Sequence, residues 1–201
     1  MKEIIEVPSS SLKVGHPDTE EERKAMFQLR AEVYRKEGYI TAQHDIDEYD
    51  LNNKCVYFIA NIDDKLVGTV RIIIDDRLPT ELYFDFKEPE EIAIIPRNKR
   101  CEIGRLIVIA KGMNHLVSLI LVKAMFLFGK DNGLLGGYAS MFRGFFQILC
   151  SIGMPLHQIN PATPKFNGKL LHSYFYESVQ EVVPLYFIRD DAIEFMERMK
   201  L

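Results

Sequence analysis

The sequence predicts a mixed α/β (α+β) domain, with a central mixed sheet and helices on both of its faces. Three observations predict it. An amphipathic helical pattern runs from Thr19 to about Glu37, two strand-like runs at 55–60 and 66–74 are separated by a short turn, and a strand–helix–strand series fills residues 101–139. The last series should be a right-handed parallel crossover. The 201 residues, 47% of them hydrophobic, fit one domain over residues 1–201 with ample material for a core.

The first part of the chain predicts a loosely ordered lead and then a helix. Residues 1–17 read as the lead, which ends at a proline. Thr19 and Glu22 form the S/T-x-x-E capping box that begins a helix. Apolar residues then recur at helical spacing to about Glu37, and Gly38 should end the helix.

A hairpin should follow this helix. Residues 40–53 are polar and acidic and are expected to form a loop. The runs 55–60 and 66–74 are strand-like and are separated by a turn-forming stretch, which predicts an antiparallel pair. Residues 91–95 are also expected to be a strand.

The second half of the chain alternates strand and helix patterns. Residues 101–109 should be the central strand, 113–130 a helix, 134–139 a strand, 142–151 a helix and 190–199 the terminal helix. Short strands are expected near three further positions, His157, Tyr174 and Leu185.

Composition limits the possible partners and compartments. A formal net charge of −4 argues against nucleic-acid binding over a wide surface. The three cysteines cannot all pair and form no CxxC, which favours reduced thiols in a cytoplasmic protein. No signal peptide is expected, because no apolar run precedes the polar residues 9–11. Residues 106–128 are apolar, but they contain two lysines and Gly112, so a strand followed by a buried helix explains them better than a membrane span.

Charges within strand-like runs are the unusual feature of this chain. Residues three apart on a regular strand point to opposite faces, so Glu102 and Arg105 can share a side only if the strand is irregular. Gly104 lies between them and can mark a bulge. Such a bulge would expose a backbone N–H suited to a carbonyl group. A strand-end salt bridge is the alternative reading.

A buried arginine at position 71 would need a carboxylate, because its guanidinium does not lose its charge. The candidates are Asp47, Asp50 and Glu102. The acids and Arg30 together suggest a polar network, which can serve a reaction or only stabilise the fold.

A basic run precedes the central strand. A solvated surface is its default interpretation, and functionally it could meet an acidic protein or a phosphate. Its candidate contact residues, with one further lysine, are Arg97, Lys99, Arg100 and Lys111. The five histidines show no metal-binding spacing, and no GxSxG, P-loop or GxGxxG occurs, so we predict no metal.

Four short motifs, in order, resemble one family. They are the run at 27–34 with Gly38-Tyr39, the acidic patch at 47–50, the GxxR strand at 68–71 and the central-strand motif at 102–105. Together they are similar to the acyl-homoserine-lactone (autoinducer) synthases and the related N-acyl amino acid synthases, of the N-acyl tyrosine synthase type. Both groups belong to the GCN5-related N-acetyltransferase superfamily, and the resemblance covers about residues 22–150.

The resemblance implies the fold of that superfamily and an acyltransferase. Tyr39 stands where autoinducer synthases commonly have Trp, and Gly104 where they have Ser. These departures favour N-acyl amino acid synthesis, with a long-chain fatty acyl group moved to the α-amine of an amino acid, tyrosine being the leading acceptor. The alternatives are an autoinducer synthase that uses S-adenosylmethionine, an acetyl-CoA-dependent acetyltransferase, and a non-enzymatic lipid-binding module.

The resemblance also implies a donor and roles for individual residues. Only Gly112 fits the pyrophosphate loop of acetyl-CoA enzymes in the corresponding run 109–114, so the expected donor is acyl-phosphopantetheine on acyl carrier protein, with no permanently bound cofactor. We expect Glu102 to be the general base, directly or through a water, and backbone N–H groups near Gly104 to stabilise the oxyanion. Arg71 and Arg105 would orient either the carboxylates of the network or the carboxylate of the substrate. The other network residues are expected to be Arg30, Tyr39, Asp47, Asp50 and Arg71.

Overall fold

The structure is a computed structural model, and it describes residues 2–6, 11–40, 45–165 and 181–199. Ten strands lie in these residues: β1 (Lys2–Glu6), β2 (Leu12–His16), β3 (Cys55–Ile62), β4 (Lys65–Ile73), β5 (Phe84–Phe86), β6 (Arg100–Val108), β7 (Gly136–Phe142), β8 (His157–Gln158), β9 (Ala162–Pro164) and β10 (Val182–Ile188). The main sheet has eight strands in the order β1-β2-β3-β4-β6-β7-β10-β8. Strands β5 and β9 form a separate pair.

Seven α-helices accompany the strands in the described residues: α1 (Glu20–Lys36), α2 (Glu48–Leu51), α3 (Pro79–Tyr83), α4 (Glu90–Ala93), α5 (Asn114–Asp131), α6 (Arg143–Ser151) and α7 (Arg189–Arg198). The capping box at the start of α1 is present, with Glu22 N donating to Thr19 Oγ1 at 3.2 Å. Acidic residues fill its first turn and basic residues its last, as the helix dipole favours. The helix predicted from the sequence is therefore confirmed.

Helices cover both faces of the sheet, as predicted. Side chains alternate along a strand, so Val70 and Arg71 point to opposite faces of β4. Val70 joins the main apolar core, to which α5 contributes Leu121 and Met125. Arg71 lies on the other face, which α1, α2 and α3 cover. The result is a mixed α/β fold with its catalytic candidates on the less apolar face.

Strands β6 and β7 are the only parallel pair in the described sheet, and they separate halfway along. Their pairing runs from Arg100 opposite Gly136 to Ile103 opposite Ala139. Beyond this point β6 continues to pair with β4, and β7 continues to pair with β10. A gap therefore opens in the middle of the sheet, on the C-terminal side of Ile103.

A bulge in β6 lies at the start of this gap. Thr69 pairs with Ile107 and Arg71 with Gly104, so two residues of β6 lie opposite one residue of β4. Arg105 is the first of the two, and its φ of 57° places it in the left-handed region. The irregularity expected at Gly104 is thus present, but one residue later.

Several sequence-based predictions of elements are wrong. The lead at residues 1–17 contains β1 and β2, and β2 buries Leu12 and Val14 against the core. Residues 40–53 contain the short helix α2. Where a strand was expected at 91–95, residues 91–93 belong to α4 and residues 94–95 form the turn that follows it. Short apolar runs fit either element, so periodicity alone does not separate these cases. The strand expected near Tyr174 lies outside the described residues.

The apolar stretch at 106–128 divides into the end of β6 and most of α5. No helix within the described ranges is long and apolar enough to cross a membrane.

Candidate active site

Three arginines and three aspartates form one buried ionic cluster beside the bulge of β6. Its members are Arg30, Asp45, Asp47, Asp50, Arg71 and Arg105. Their side chains are at most 9% exposed. Buried charges must be paired, and here the three positive and three negative charges balance.

Arg30 is wholly buried on α1 and ties this helix to the acidic segment. Its Nε lies 2.9 Å from Asp45 Oδ2, and its Nη2 lies 3.0 Å from Asp50 Oδ2. Burial alone would raise the pKa of Asp50, but Arg71 and Arg30 together hold it below its usual range. Asp50 therefore stays charged at neutral pH.

Arg71 makes the densest contacts in the cluster. Its Nη1 and Nη2 contact the two carboxylate oxygens of Asp47 at 2.9 and 2.8 Å, and Nη1 also contacts Asp50 Oδ1 at 2.8 Å. Asp47 in turn begins α2, because its Oδ1 accepts from the backbone N–H groups of Tyr49 and Asp50. The cluster thus positions α2 over the sheet.

Arg105 completes the cluster from the bulge. Its Nε lies 2.9 Å from Asp45 Oδ2 and its Nη2 lies 3.2 Å from Asp47 Oδ2. Its guanidinium carbon also lies 5.3 Å from the ring centroid of Tyr34 on α1, a cation–π distance. Because the cluster is internally balanced, these arginines orient the aspartates, and a substrate carboxylate would have to compete for them.

Glu102 lies outside this cluster. Both of its oxygens face Thr80 at the start of α3: Oε2 accepts from Thr80 N at 2.7 Å, and Oε1 accepts from Thr80 Oγ1 at 3.0 Å. The side chain is buried, and burial raises the pKa of Glu102 to about 8, although the Thr80 hydrogen bonds and Arg71 oppose the rise. A carboxyl group with this pKa can exchange protons near neutral pH.

A cavity of about 490 Å³ occupies the gap between β6 and β7. At one end it reaches Asn114 and His115 at the N-terminus of α5. It extends along α5 to Phe126, which is about 18 Å farther at 1.5 Å per residue. The inner part is apolar, and its lining includes Met125, Met141, Phe145, Leu149, Met154 and Phe187. The phenylalanines and methionines of 125–128 and 141–146 therefore supply both core and cavity wall.

A smaller cavity of about 90 Å³ lies on the other side of β6. Glu102, Arg71, Tyr49 and Tyr83 line it. The two cavities share five lining residues, which mark the place where they meet: Tyr34, Ile103, Gly104, Arg105 and Ser140. Glu102 thus lies beside the meeting point of a long apolar cavity and a small polar one.

The structure does not bring the expected basic residues onto one surface. Arg100 is 4% exposed, and its guanidinium contacts Glu88 and the carbonyls of Ile95 and Ala93. Burial therefore removes Arg100 from any contact with a partner. Arg97 is half exposed and pairs with Glu81 and Glu88.

Lys99 and Lys111 lie at opposite ends of β6. The nine residues of this strand separate them by about 26 Å at about 3.3 Å per residue. Lys111 is exposed in the turn before α5. Asn114 and His115, three and four residues later, are also exposed and line the larger cavity, which therefore reaches the surface near Lys111. Of the four predicted contact residues, only Lys111 is close to that opening.

Tyr39 borders the larger cavity just after α1. Its ring centroid lies 5.9 Å from that of Tyr34 and 6.1 Å from that of Phe142. It therefore lines the cavity by aromatic contacts and is not an ionic member of the cluster.

Sequence reasoning missed three residues of the site. Asp45 lies two residues before Asp47 in the same acidic stretch, and this proximity was the available signal. Thr80 and Ser140 gave none, because hydroxyl residues are common in turns and strands. In the part of the chain that the structure describes, no group of His, Cys, Asp and Glu is arranged to hold a metal ion.

Solved structures with a similar architecture include acyl-homoserine lactone synthases and an acetyltransferase of the GNAT family. The AHL synthase LasI superposes with a TM-score of 0.64 at 16% identity, covering 90% of this chain and 91% of its own. BjaI, a CoA-dependent acyl-homoserine lactone synthase, gives 0.60 at 16% identity, covering 89% and 82%. ElaA of Escherichia coli gives 0.58 at 18% identity, covering 88% and 98%. At these identities the likeness shows the fold, which is the one expected.

The family model for N-acyl amino acid synthase FeeM matches residues 25–139, more than half of the chain. The protein therefore belongs to this family and is an N-acyltransferase. No curated protein matches it in sequence. The matched segment contains the ionic cluster, Thr80 and Glu102.

Proposed function

We propose that the protein moves a long-chain fatty acyl group from acyl carrier protein to the α-amine of an amino acid, with tyrosine as the favoured acceptor. One observation carries the proposal: a long apolar cavity and a small polar cavity meet beside a buried carboxyl group. The apolar cavity suits an acyl chain, and the polar cavity suits the head of an amino acid.

The reaction needs the acceptor nitrogen to lose two protons. Glu102 takes the first from the ammonium group, which leaves a neutral amine. The amine attacks the thioester carbon, a C–N bond forms, and a tetrahedral oxyanion results. When the C–S bond breaks, the nitrogen gives its second proton to the leaving thiolate. Glu102 then returns the first proton to solvent, and an amide and a free thiol remain.

The oxyanion would be stabilised where the two cavities meet. Ile103, Gly104 and Arg105 line both cavities, at the point where β6 leaves β7. Backbone N–H groups of this stretch are the proposed donors, because strand separation turns them away from the β7 ladder. The left-handed backbone at Arg105 is a local strain of the kind that proteins retain at functional sites.

Three features favour a phosphopantetheine donor. The larger cavity opens beside the N-terminus of α5, where backbone N–H groups and the helix dipole attract an anion. Lys111 is the exposed cation there. The turn before α5 retains a single glycine, Gly112 with φ of 77°, and so resembles a site for one phosphate more than one for a pyrophosphate.

The walls of the smaller cavity bear on the acceptor. Tyr49, Tyr83, Leu82 and Pro79 present aromatic and apolar surface there, and Glu102 is a nearby acid. This combination suits an amino acid with an aromatic side chain. The aspartates of the cluster already occupy Arg71, so recognition of the acceptor would depend on its ammonium group and its ring.

The test is product analysis with defined donors. Purified protein is incubated with acyl groups of 8 to 16 carbons, loaded either on acyl carrier protein or on CoA, and with tyrosine, other amino acids or S-adenosylmethionine. Mass spectrometry should detect an N-acyl tyrosine that forms faster from the carrier-protein donor. The Glu102→Gln variant should lose most of this turnover while it keeps its fold.

Other products would overturn the proposal. An acyl-homoserine lactone that depends on S-adenosylmethionine would make the protein an autoinducer synthase. Transfer from acetyl-CoA alone would make it an acetyltransferase. Tight binding of fatty acyl groups without turnover would leave a binding module. Full turnover by Glu102→Gln would remove this residue from the mechanism.

A further inference from the structure

Glu102 owes its orientation to one residue, Thr80. The backbone N–H and the hydroxyl of Thr80 each bond one carboxylate oxygen, at 2.7 and 3.0 Å. Two bonds to two oxygens fix both the position and the rotation of the carboxyl plane. Thr80 is fully buried, so water does not replace either bond.

Several polar contacts hold α3, the short helix that carries Thr80, in place. Glu81 accepts from the backbone N–H of Leu78 at 3.0 Å and pairs with Arg97. Lys165 Nζ donates to the carbonyl of Glu81 at 3.2 Å. Arg97 therefore has a structural role here, because it pairs with the helix that presents Thr80.

The hydroxyl of Thr80 also connects Glu102 to the place where the two cavities meet. Its Oγ1 lies 3.0 Å from Ser140 Oγ, and either hydroxyl can donate. Ser140 follows Ala139, the last residue of β7 that pairs with β6, and it lines both cavities. A continuous chain of hydroxyls thus joins the meeting point of the cavities to Oε1 of Glu102.

We propose that Thr80 is a positioning residue for acyl transfer and that its hydroxyl, in series with that of Ser140, conducts the proton of the attacking amine to Glu102. This inference rests on the proposed function. One N–H bond of the ammonium breaks as Ser140 Oγ gains a proton. Ser140 passes its own proton to Thr80 Oγ1, and Thr80 passes its own to Glu102 Oε1. Both hydroxyls are restored, and only the nitrogen and Glu102 change protonation.

The hydrogen bonds from Thr80 also act on the acidity of Glu102. Burial raises the pKa of Glu102, and the Thr80 donors lower it, so loss of the hydroxyl should raise the pKa further. The ionisable groups around Glu102 lie on four elements: Arg71 on β4, Glu81 on α3, Tyr49 on α2 and Tyr138 on β7. None of these changes when Thr80 is replaced.

The test compares Thr80→Val, which removes only the hydroxyl, with Thr80→Ser, which keeps it. Thr80→Val should lower kcat by about 100-fold, within the usual range for general-base catalysis. It should also move the acidic limb of kcat/KM upward by about one pH unit. Thr80→Ser should keep the acidic limb of the kcat/KM profile at the wild-type pH and retain most of kcat. The matched control is Thr163→Val, at an exposed position on β9, and it should change neither.

A second measurement does not depend on turnover. Carbon-13 NMR of labelled glutamate carboxyls, assigned with Glu102→Gln, should show Glu102 titrating at higher pH in Thr80→Val than in the wild type. If this shift occurs but the wild type transfers no acyl group, Thr80 still positions the carboxyl group of Glu102, and the proposed function fails. If the wild type is active while Thr80→Val keeps both the limb and the NMR titration, the positioning role is overturned.

The relay has its own variant. Ser140→Ala should lower kcat while the NMR titration of Glu102 stays near that of the wild type, because Thr80 still holds the carboxylate. Unchanged kcat in Ser140→Ala would overturn the relay and leave only direct proton transfer to Glu102.

Discussion

Arg71 and Asp47 form a bidentate ion pair, in which Arg71 Nη1 lies 2.9 Å from Asp47 Oδ1 and Arg71 Nη2 lies 2.8 Å from Asp47 Oδ2. The same carboxylate caps α2 through the backbone N–H groups of Tyr49 and Asp50. One aspartate therefore joins the central sheet to the short helix above the smaller cavity. Geometry of this kind is the strong form of arginine–carboxylate bonding.

Removal of Arg71 should destabilise the protein severely. Arg71→Ala leaves Asp47 without its main partner in a buried site, and breaking such a pair costs about 3–5 kcal/mol of unfolding free energy. Urea denaturation followed by circular dichroism measures the loss. The control is Arg143→Ala, which breaks an exposed pair with Glu181 and should change stability little. Equal losses of unfolding free energy for the two variants would show that burial does not increase the contribution of the cluster to stability.

Stability should depend on pH through Glu102. Its pKa in the folded protein, about 8, lies above the ordinary value of 4.5, so the folded state binds the proton more tightly than the unfolded state. The contribution of Glu102 to the free energy of unfolding is complete below about pH 4.5. It is lost as the pH rises through about 8, at up to about 1.4 kcal/mol per pH unit. Glu102→Gln has no carboxyl group to titrate at this position. Its free energy of unfolding should therefore rise relative to that of the wild type as the pH increases over that range.

The measurement is urea denaturation of both proteins between pH 5 and 9. Glu194→Gln, at an exposed position on α7, is the matched control and should follow the wild type. A constant difference between Glu102→Gln and the wild type across this range would mean that Glu102 ionises at its ordinary pKa.

Sequence predicted the parts of this fold that local patterns encode. The capping box and helical spacing predict α1, and alternation with a turn predicts the β3–β4 hairpin. Arg71 on a strand requires a carboxylate, and Asp47 and Asp50 are indeed its partners. A buried charge must be paired, so the need for a carboxylate partner can be predicted from the sequence alone.

What sequence could not predict depends on contacts between distant parts of the chain. Thr80 and Glu102 are 22 residues apart and meet because α3 packs on the sheet, where it contacts β7 next to β6. Lys99 and Lys111 are near in sequence, yet a whole strand separates them. The extended geometry of β6 places Lys99 and Lys111 at its two ends, which the local sequence does not show.

Two glycines on neighbouring strands should respond oppositely to alanine. A Cβ at Gly104 would meet no atom within 4 Å, so Gly104→Ala should fold, with a gain of about 0.4–1 kcal/mol because glycine is freer in the unfolded chain. A Cβ at Gly137 would lie 1.8 Å from the carbonyl oxygen of Cys101, so Gly137→Ala should unfold or lose several kcal/mol. Thermal denaturation compares them. Similar Tm values would contradict the tight pairing of β6 and β7 before the gap.

Reversal of the charge at Lys111 should weaken use of a carrier-protein donor. Lys111 lies beside the open end of the larger cavity, so Lys111→Glu would repel an acidic carrier and its phosphate, and should raise KM for acyl carrier protein by about tenfold with a smaller change in kcat. Lys99→Glu makes the same charge change at the far end of β6 and should have a much smaller effect. Steady-state kinetics over a salt series measures both, and the difference should shrink as salt screens the contact. An equal rise in KM for both variants would place the carrier over the whole of β6, and a rise for Lys99→Glu alone would place it at the opposite end.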